Sequence, residues 1–304
     1  MVKPVDLTVR LGRLVLQNPI VTASGTFGNA VEFEQFMNLD KLGAVTLKSV
    51  TLKPKVGNAP PRVSETPCGM LNSIGLENKG LDHMIQFVLP ELESLKRVKV
   101  IVNIAGHSTE ENRICAKRLD KESRVDAIEL NISCPNVEAG GLAFCQDLAG
   151  VKNLVKAVRT VTDKPLIVKL SVAVPDIVKL AKISIEAGAD ILSLINTIPA
   201  MEVDIENRKL YFKRGVAGLS GPAIRPIALK AVYDVAESCN VPLIGMGGVA
   251  TVEDVVKFIL VGASAVSVGM MNFVHPDLCE KLVRDLADYL SKQKLVLSEL
   301  VLQK

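Results

Sequence analysis

Short apolar runs rich in β-branched residues recur along the chain, and stretches with a helical spacing of apolar residues separate them. Such runs are typical of the fully buried strands of a parallel sheet. The pattern predicts eight core strands, at Pro19–Ala23, Ala44–Lys48, Val98–Ile104, Ala127–Ile132, Pro165–Leu170, Ile191–Ile195, Pro242–Gly245 and Ala265–Val268. It predicts helices between them at Leu148–Thr160, Pro175–Ala187, Pro226–Ser238 and Val252–Leu260. Eight such units predict an α/β fold, a (β/α)8 TIM barrel that spans residues 1–304 as a single domain.

Three irregular segments add to this repeat. Val5–Arg10 and Leu14–Gln17 alternate around Gly12 and predict an N-terminal β-hairpin that closes the non-catalytic end of the barrel. The long segments Thr51–Lys79 and Ile198–Pro222 follow the second and sixth strands. Structureless loops of this length are usually lids or binding loops. Because both follow strands, we expect them to lie over the C-terminal face, where barrel active sites are found.

Composition excludes several classes of function. Apolar residues make up 48% of the chain, its net charge is only +3, and no basic stretch alternates with aromatic residues, so we expect no nucleic-acid partner. The six cysteines form no CxxC pair, and no His or carboxylate cluster follows a strand, so we expect no metal. No apolar run approaches the length of a membrane span, and the first residues lack a signal-peptide core, so we expect a cytoplasmic protein without a membrane partner.

Two lysines interrupt otherwise apolar strands near their C-terminal ends, Lys48 in the second and Lys169 in the fifth. Lysine is rarely buried without a partner, so a lysine that lines the barrel is expected to meet an anion or a developing charge. The alternative is a lysine that points outward between helices. Glu129, in the middle of the fourth strand, is interpreted as structural, with a barrel lysine as its candidate partner.

The fourth strand ends in a polar turn that contains a thiol, Cys134. A thiol at this face of a barrel can act as a general base or a nucleophile. A buried structural cysteine is the alternative, but the setting between Asn-Ile-Ser and Pro-Asn favours chemistry. Asn103, Asn131 and Asn196 end the third, fourth and sixth strands, and these amides suit a ligand rich in carbonyl and N–H groups.

Glycine turns follow the last two predicted strands, and a third precedes the helix predicted at Pro226–Ser238. They lie at Gly245–Val249, at Gly269 with Met270, and at Gly218–Pro222. Loops after the last two strands of such barrels often bind phosphate through backbone N–H groups that glycine lets approach closely. The pattern favours a phosphate-bearing ligand, either a substrate or a cofactor.

Taken in order, these motifs resemble the class 1 dihydroorotate dehydrogenases, which are FMN-containing barrels of pyrimidine synthesis. The matching motifs span nearly the whole chain and are Thr22-Ala23-Ser24-Gly25, Leu47-Lys48-Ser49, Asn72-Ser73-Ile74-Gly75-Leu76, Asn131-Ile132-Ser133-Cys134-Pro135-Asn136, Val168-Lys169-Leu170-Ser171, Ile195-Asn196-Thr197, Gly218-Leu219-Ser220-Gly221-Pro222-Ala223 and Gly245-Met246-Gly247-Gly248. Cysteine at position 134, in place of serine, is similar to class 1 and not to the membrane-associated class 2. Segments 131–144 and 218–223 are similar to the NAD-linked subclass 1B.

The resemblance implies that the chain oxidises (S)-dihydroorotate to orotate in de novo pyrimidine (UMP) biosynthesis. Cys134 would remove the proton from C5 while hydride leaves C6 for N5 of FMN, with one FMN per chain. Electrons would pass to NAD+ through a partner subunit that carries FAD and a [2Fe–2S] cluster. The resemblance also implies a homodimer of this chain at the core of a heterotetramer.

The resemblance also assigns site residues, with Cys134 as the catalytic one. Those implied to hold dihydroorotate or orotate are Lys48, Asn72, Ser73, Ile74, Gly75, Leu76, Asn131, Asn196 and Thr197. Those implied to contact FMN are Ser24, Lys48, Ser49, Asn103, Asn131, Lys169, Ile195, Gly221, Gly247, Gly248, Gly269 and Met270. Lys169 would stand near the N1/C2 carbonyl edge of the flavin, where a positive charge stabilises the anionic reduced ring.

Three other functions fit parts of the sequence. A related flavin barrel would act on another dihydropyrimidine, such as dihydrouracil. A non-redox lyase or isomerase that binds a phosphorylated metabolite would explain the glycine turns but not Cys134 with the two lysines. A non-catalytic scaffold is disfavoured because the same three residues are present. The segment 206–214 is unusually basic, and the sequence leaves its role open.

Overall fold

The computed structural model describes residues 5–132 and 147–303. Its strands are β1 (Val9–Leu11), β2 (Leu14–Leu16), β3 (Ile20–Thr22), β4 (Ala44–Thr46), β5 (Val63–Thr66), β6 (Gly69–Asn72), β7 (Lys99–Ile104), β8 (Ala127–Asn131), β9 (Leu166–Leu170), β10 (Ile191–Leu194), β11 (Ile198–Ala200), β12 (Val203–Asp204), β13 (Lys209–Leu210), β14 (Ala217–Ser220), β15 (Leu243–Met246) and β16 (Ala265–Val268). Its α-helices are α1 (Gly80–His83), α2 (Leu89–Glu91), α3 (Thr109–Leu119), α4 (Leu148–Arg159), α5 (Ile177–Glu186), α6 (Arg225–Ser238), α7 (Val252–Leu260), α8 (Met271–Val274) and α9 (Leu278–Gln293).

Eight of these strands form a closed barrel in the order β3-β4-β7-β8-β9-β10-β15-β16, and β16 pairs with β3. All neighbouring strands in it are parallel. Each predicted core strand coincides with one of them, and no predicted bound differs from the observed one by more than two residues. The predicted (β/α)8 barrel is therefore confirmed.

The helices between barrel strands form where apolar residues recur at helical spacing. Helix α4, for example, buries Val151, Leu154, Val155 and Val158 on one face. It begins at Asp147, whose side chain accepts a hydrogen bond from the Ala149 N–H at 3.1 Å. Observed bounds of α4, α5, α6 and α7 differ by no more than two residues from the four predicted helices, which are confirmed.

The N-terminal hairpin β1–β2 closes the lower end of the barrel, as predicted, but its first strand is Val9–Leu11 and not Val5–Arg10, because Leu11 pairs with Leu14 across a tight turn. Its residues Leu11, Leu14 and Leu16 are buried and form one apolar cluster with inward-facing barrel residues such as Ala127 and Ile191. Those two residues are the first in their strands, so the cluster fills the N-terminal end of the barrel. The opposite end is left for polar side chains.

The two long insertions are not structureless loops, which corrects that prediction. Strands β5 and β6 of the first pair with β14 and β11 of the second in one antiparallel sheet, ordered β11-β14-β6-β5. Leu71 of β6 and Ala217 of β14 form a small buried cluster with Phe212. Asn72 of β6 pairs with Gly218 of β14, and the two residues lie far apart in sequence. The pattern of apolar and polar residues within either insertion therefore does not indicate that these strands pair.

We expect Leu16→Ala to destabilise the protein by about 2–5 kcal/mol, because it removes a fully buried side chain from the hairpin's contact with the barrel. The adjacent Val15→Ala is the matched control, since Val15 is only partly buried and should cost less than about 1 kcal/mol. Urea denaturation of both variants measures the difference. Equal losses would contradict the assignment of Leu16 to the interior of the barrel.

Candidate active site

A cavity of about 740 Å³ opens at the C-terminal face of the barrel. Residues at or just beyond the ends of β3, β4, β8, β9, β10, β15 and β16 line it, and β6 and β14 of the insertions add further lining residues. This volume lies within the range of small-molecule and cofactor sites, and this face carries the active site of such barrels.

The cavity brings together nearly all the residues that the sequence predicts for substrate and cofactor. Those that line it are Ser24, Lys48, Ser49, Asn72, Ser73, Ile74, Gly75, Leu76, Asn131, Lys169, Ile195, Asn196, Thr197, Gly221, Gly247, Gly248, Gly269 and Met270. Asn103 is fully buried and is not among the lining residues. Cys134, predicted as the catalytic residue, lies outside the described residues.

Lys169 is a buried cation within the barrel. It is 4% exposed, lines the cavity, and its Nζ donates a hydrogen bond to Ser24 Oγ at 3.2 Å. Lys48 lines the same cavity and is half-buried. Both lysines therefore face the cavity, not the gaps between outer helices.

Glu129 lies in the barrel interior with partners other than the lysine considered from the sequence. Asn103 Nδ2 donates to its Oε2, and Ser193 Oγ donates to its Oε1 at 2.7 Å. Glu129 is 3% exposed, and Asn103 and Ser193 are fully buried. We call these three residues the Glu129 cluster. The sequence does not predict their contacts, because they come from three separate strands.

Amide side chains at the cavity are held by defined hydrogen bonds. Asn196 Nδ2 donates to Asn131 Oδ1 at 3.4 Å, and Asn196 Oδ1 accepts from the Thr197 N–H at 2.8 Å. Asn72 Nδ2 donates to the Gly218 carbonyl at 3.1 Å, which links the first insertion to the second. Such fixed amides suit recognition of a planar ligand with carbonyl and N–H groups.

Positive charge predominates among the described residues of the cavity. The lining cations are Lys48, Lys55, Lys169 and Arg214, and the lining carboxylate is Glu77, which is paired with Arg62. Lys55 and Arg214 were not predicted as site residues, since each lies within an insertion whose folding the sequence does not specify. Arg214 does belong to the basic segment 206–214 noted from the sequence. A cleft lined by one sign of charge attracts a ligand of the opposite sign.

Five lining glycines have backbone conformations that L side chains rarely adopt, and three of them lie in the predicted glycine turns. The φ angles are +104° at Gly221, +129° at Gly247 and +76° at Gly248. A Cβ atom at Gly248 would lie 2.8 Å from the carbonyl oxygen of Gly221, so the two turns approach closely. Glycine turns of this kind let backbone N–H groups reach a phosphate.

The described cysteines do not compete with Cys134 for the role of a reactive thiol at this cavity. None of Cys68, Cys115, Cys239 and Cys279 is among its lining residues. Burial raises the pKa of the Cys115 thiol to about 12, with a smaller contribution from the charge of Glu111. Burial likewise raises the pKa of the Cys279 thiol.

Residues 6–290 match the family described as dihydroorotate dehydrogenase. The chain belongs to that family. Dihydroorotate dehydrogenases are flavin-dependent.

Relatives include proteins named dihydroorotate dehydrogenase B (NAD(+)), catalytic subunit, from Thermoanaerobacter sp. (strain X514) and Carboxydothermus hydrogenoformans. The first is 48% identical over 285 residues, covering 94% of each chain. The second is 44% identical over 290 residues, covering 95% of this chain and 94% of the relative.

A solved dihydroorotate dehydrogenase from Eimeria tenella, in complex with ferulenol, has a similar fold. The TM-score is 0.77 at 22% sequence identity, over 96% of this chain and 86% of the other.

Within the described ranges, no helix of this dihydroorotate dehydrogenase family member has the length and apolarity to cross a bilayer. Residues 5–132 and 147–303 also contain no group of three or more His, Cys, Asp or Glu side chains placed to hold a metal ion.

We expect Gly248→Ala to destabilise the protein by about 1–3 kcal/mol, because alanine would be strained at a φ of +76° and its Cβ would meet the Gly221 carbonyl. Gly269→Ala is the matched control at the same cavity. Its nearest neighbour would be Ala23 Cβ at 3.8 Å, an ordinary contact, so we expect a change below about 0.5 kcal/mol. Thermal denaturation of both variants tests this, and equal melting temperatures would refute it.

Proposed function

We propose that this chain is the FMN-binding catalytic subunit of an NAD+-linked dihydroorotate dehydrogenase that oxidises (S)-dihydroorotate to orotate in pyrimidine biosynthesis. The observation that carries the proposal is the single cavity lined by eighteen of the residues expected to hold substrate or FMN. Family membership and the similarity to named NAD(+)-linked catalytic subunits support it. We further propose that residues 1–304 act as one cytoplasmic barrel domain.

Two features of the cavity support FMN as its ligand. The turns at Gly247, Gly248 and Gly269 would hold the phosphate through backbone N–H groups. Ile195 and Met246 offer apolar contact for the flavin ring. When bound, FMN supplies an acceptor for the hydride that leaves C6 of dihydroorotate.

The residues of this chain would divide the remaining work. Lys169, fixed by its hydrogen bond to Ser24, would stabilise negative charge on the reduced flavin. Asn72, Asn131 and Asn196 would orient the ring of the substrate through its carbonyl and N–H groups. Cys134 would accept the proton from C5 as a general base.

Electron transfer beyond the flavin would require a second protein. The relatives are named as catalytic subunits, which implies a further subunit in their enzymes. We propose that this chain forms a homodimer flanked by two partner subunits, each with FAD and a [2Fe–2S] cluster. NAD+ would be reduced at the partner.

The proposed function is tested by the visible spectrum of the purified chain, reconstituted with FMN and mixed with dihydroorotate without oxygen. We expect a flavin spectrum that bleaches, and loss of bleaching in Cys134→Ala at neutral pH because the C5 proton then has no base. Cys239→Ala is the control, since its thiol lies away from the cavity. Bleaching by dihydrouracil but not dihydroorotate would favour the other dihydropyrimidine, and failure to bind FMN would exclude a flavoenzyme.

Arg214 gives a second prediction. It lines the cavity and makes no ion pair within the described part of the chain, so its charge is available to an incoming carboxylate. We expect Arg214→Gln to raise the KM for dihydroorotate by about threefold to tenfold at low salt, and less at high salt. Lys213→Gln removes the same charge from an exposed neighbour that does not line the cavity, and it should change KM less than about twofold. Equal effects would exclude a local role of Arg214.

A further inference from the structure

Glu129 is a buried carboxylate for which the proposed reaction has no use. It is 3% exposed in the interior of the barrel. Removing a charged carboxylate from water is costly unless hydrogen bonds compensate it. Lys169 donates its described hydrogen bond to Ser24 and makes no ion pair with Glu129. In the described part of the chain, the groups that compensate Glu129 are its two hydrogen-bond donors, Asn103 and Ser193.

Both carboxylate oxygens of Glu129 accept hydrogen bonds, and this determines how the Asn103 amide is oriented. Its nitrogen must point to Glu129, as observed, and its oxygen must point away. Asn103 Oδ1 is buried and has no hydrogen-bond partner among residues 5–132 and 147–303. A buried acceptor without a partner is unfavourable, so this oxygen is suited to a donor that a ligand brings.

The neighbours of Asn103 place it beside the cavity. Its carbonyl accepts a hydrogen bond from the Val50 N–H at 2.9 Å, and Val50 follows the lining residue Ser49. On its other side, Asn103 is in register with Glu129 of β8. Asn131, two positions after Glu129 on the same strand, lines the cavity. Asn103 thus lies between two strand ends that both contribute to the cavity.

We propose that Glu129 is a positioning residue for the cofactor: it holds the Asn103 amide so that Oδ1 accepts a hydrogen bond from an N–H or O–H group of bound FMN. The inference rests on the proposed function, because FMN is the ligand. Glu129 itself does not touch the cofactor. Its effect is to select one of the two orientations that the Asn103 amide can adopt.

The test is the dissociation constant of FMN, measured by fluorescence titration of the flavin-free chain, together with thermal denaturation of each variant. Glu129→Leu removes the acceptor and frees the Asn103 amide to rotate. We expect FMN to bind about tenfold more weakly, the equivalent of about one hydrogen bond. Ser193→Ala is the matched control, because it removes the other partner of Glu129 and leaves Asn103 held. We expect it to bind FMN within twofold of the unchanged chain.

An exchange of the two side chains separates positioning from general stabilisation. In the double variant Asn103→Asp with Glu129→Gln, the introduced amide nitrogen can donate to the introduced carboxylate, and the amide oxygen can accept from Ser193. One oxygen of that carboxylate then remains for the ligand, so we expect FMN affinity within about threefold of the unchanged chain. Asn103→Asp alone sets two carboxylates side by side and should bind FMN much more weakly than the exchange variant.

Two results would overturn the inference. One is equal loss of FMN affinity in Glu129→Leu and Ser193→Ala, which would make the cluster merely structural. The other is an exchange variant that binds no better than Asn103→Asp, a comparison that decides the matter even if Glu129→Leu does not fold. If the unchanged chain itself does not bind FMN, the proposed function is contradicted as well. That outcome is distinguishable from the other two, in which the unchanged chain binds FMN.

Discussion

Hydrogen bonds between the last barrel strand and the first close the barrel and set the position of every strand end. Parallel pairing of β16 with β3, continued by the bond from Ala23 N–H to the Val268 carbonyl at 2.8 Å, closes the sheet. In a closed parallel barrel all the C-terminal strand ends meet at one face. Ser24 and Lys169, 145 positions apart, therefore lie within hydrogen-bond distance, and one cavity collects residues from most of the chain.

The barrel interior changes in character from one end to the other. At the N-terminal end, Leu11, Leu14 and Leu16 of the hairpin pack on apolar strand residues and exclude water. Above them the interior becomes polar, with Asn103, Glu129 and Ser193 joined by hydrogen bonds. The apolar layer contributes stability, and the polar layer supports a cavity whose groups need fixed orientations.

The insertion sheet and the barrel make different contributions to the cavity. The barrel supplies Lys169 and the glycine turns on rigid strand ends, where phosphate and flavin are proposed to bind. The insertions supply Asn72 and Arg214, on elements that join each other through the pairing of β6 with β14. The barrel strands therefore carry the proposed cofactor site, and the insertions add charge and amide groups at its rim.

Eight strands, the four clearest helices, the closing hairpin and the family could all be predicted from the sequence. Those features depend on local periodicity and on motifs that occupy consecutive positions, such as Asn72–Leu76. Only the tertiary structure decided that the insertions pair, that Lys55 and Arg214 reach the cavity, and that Glu129 meets Asn103 and not a lysine. The physical reason is that these partners are distant in sequence, and the register of the closed barrel selects which side chains share a layer.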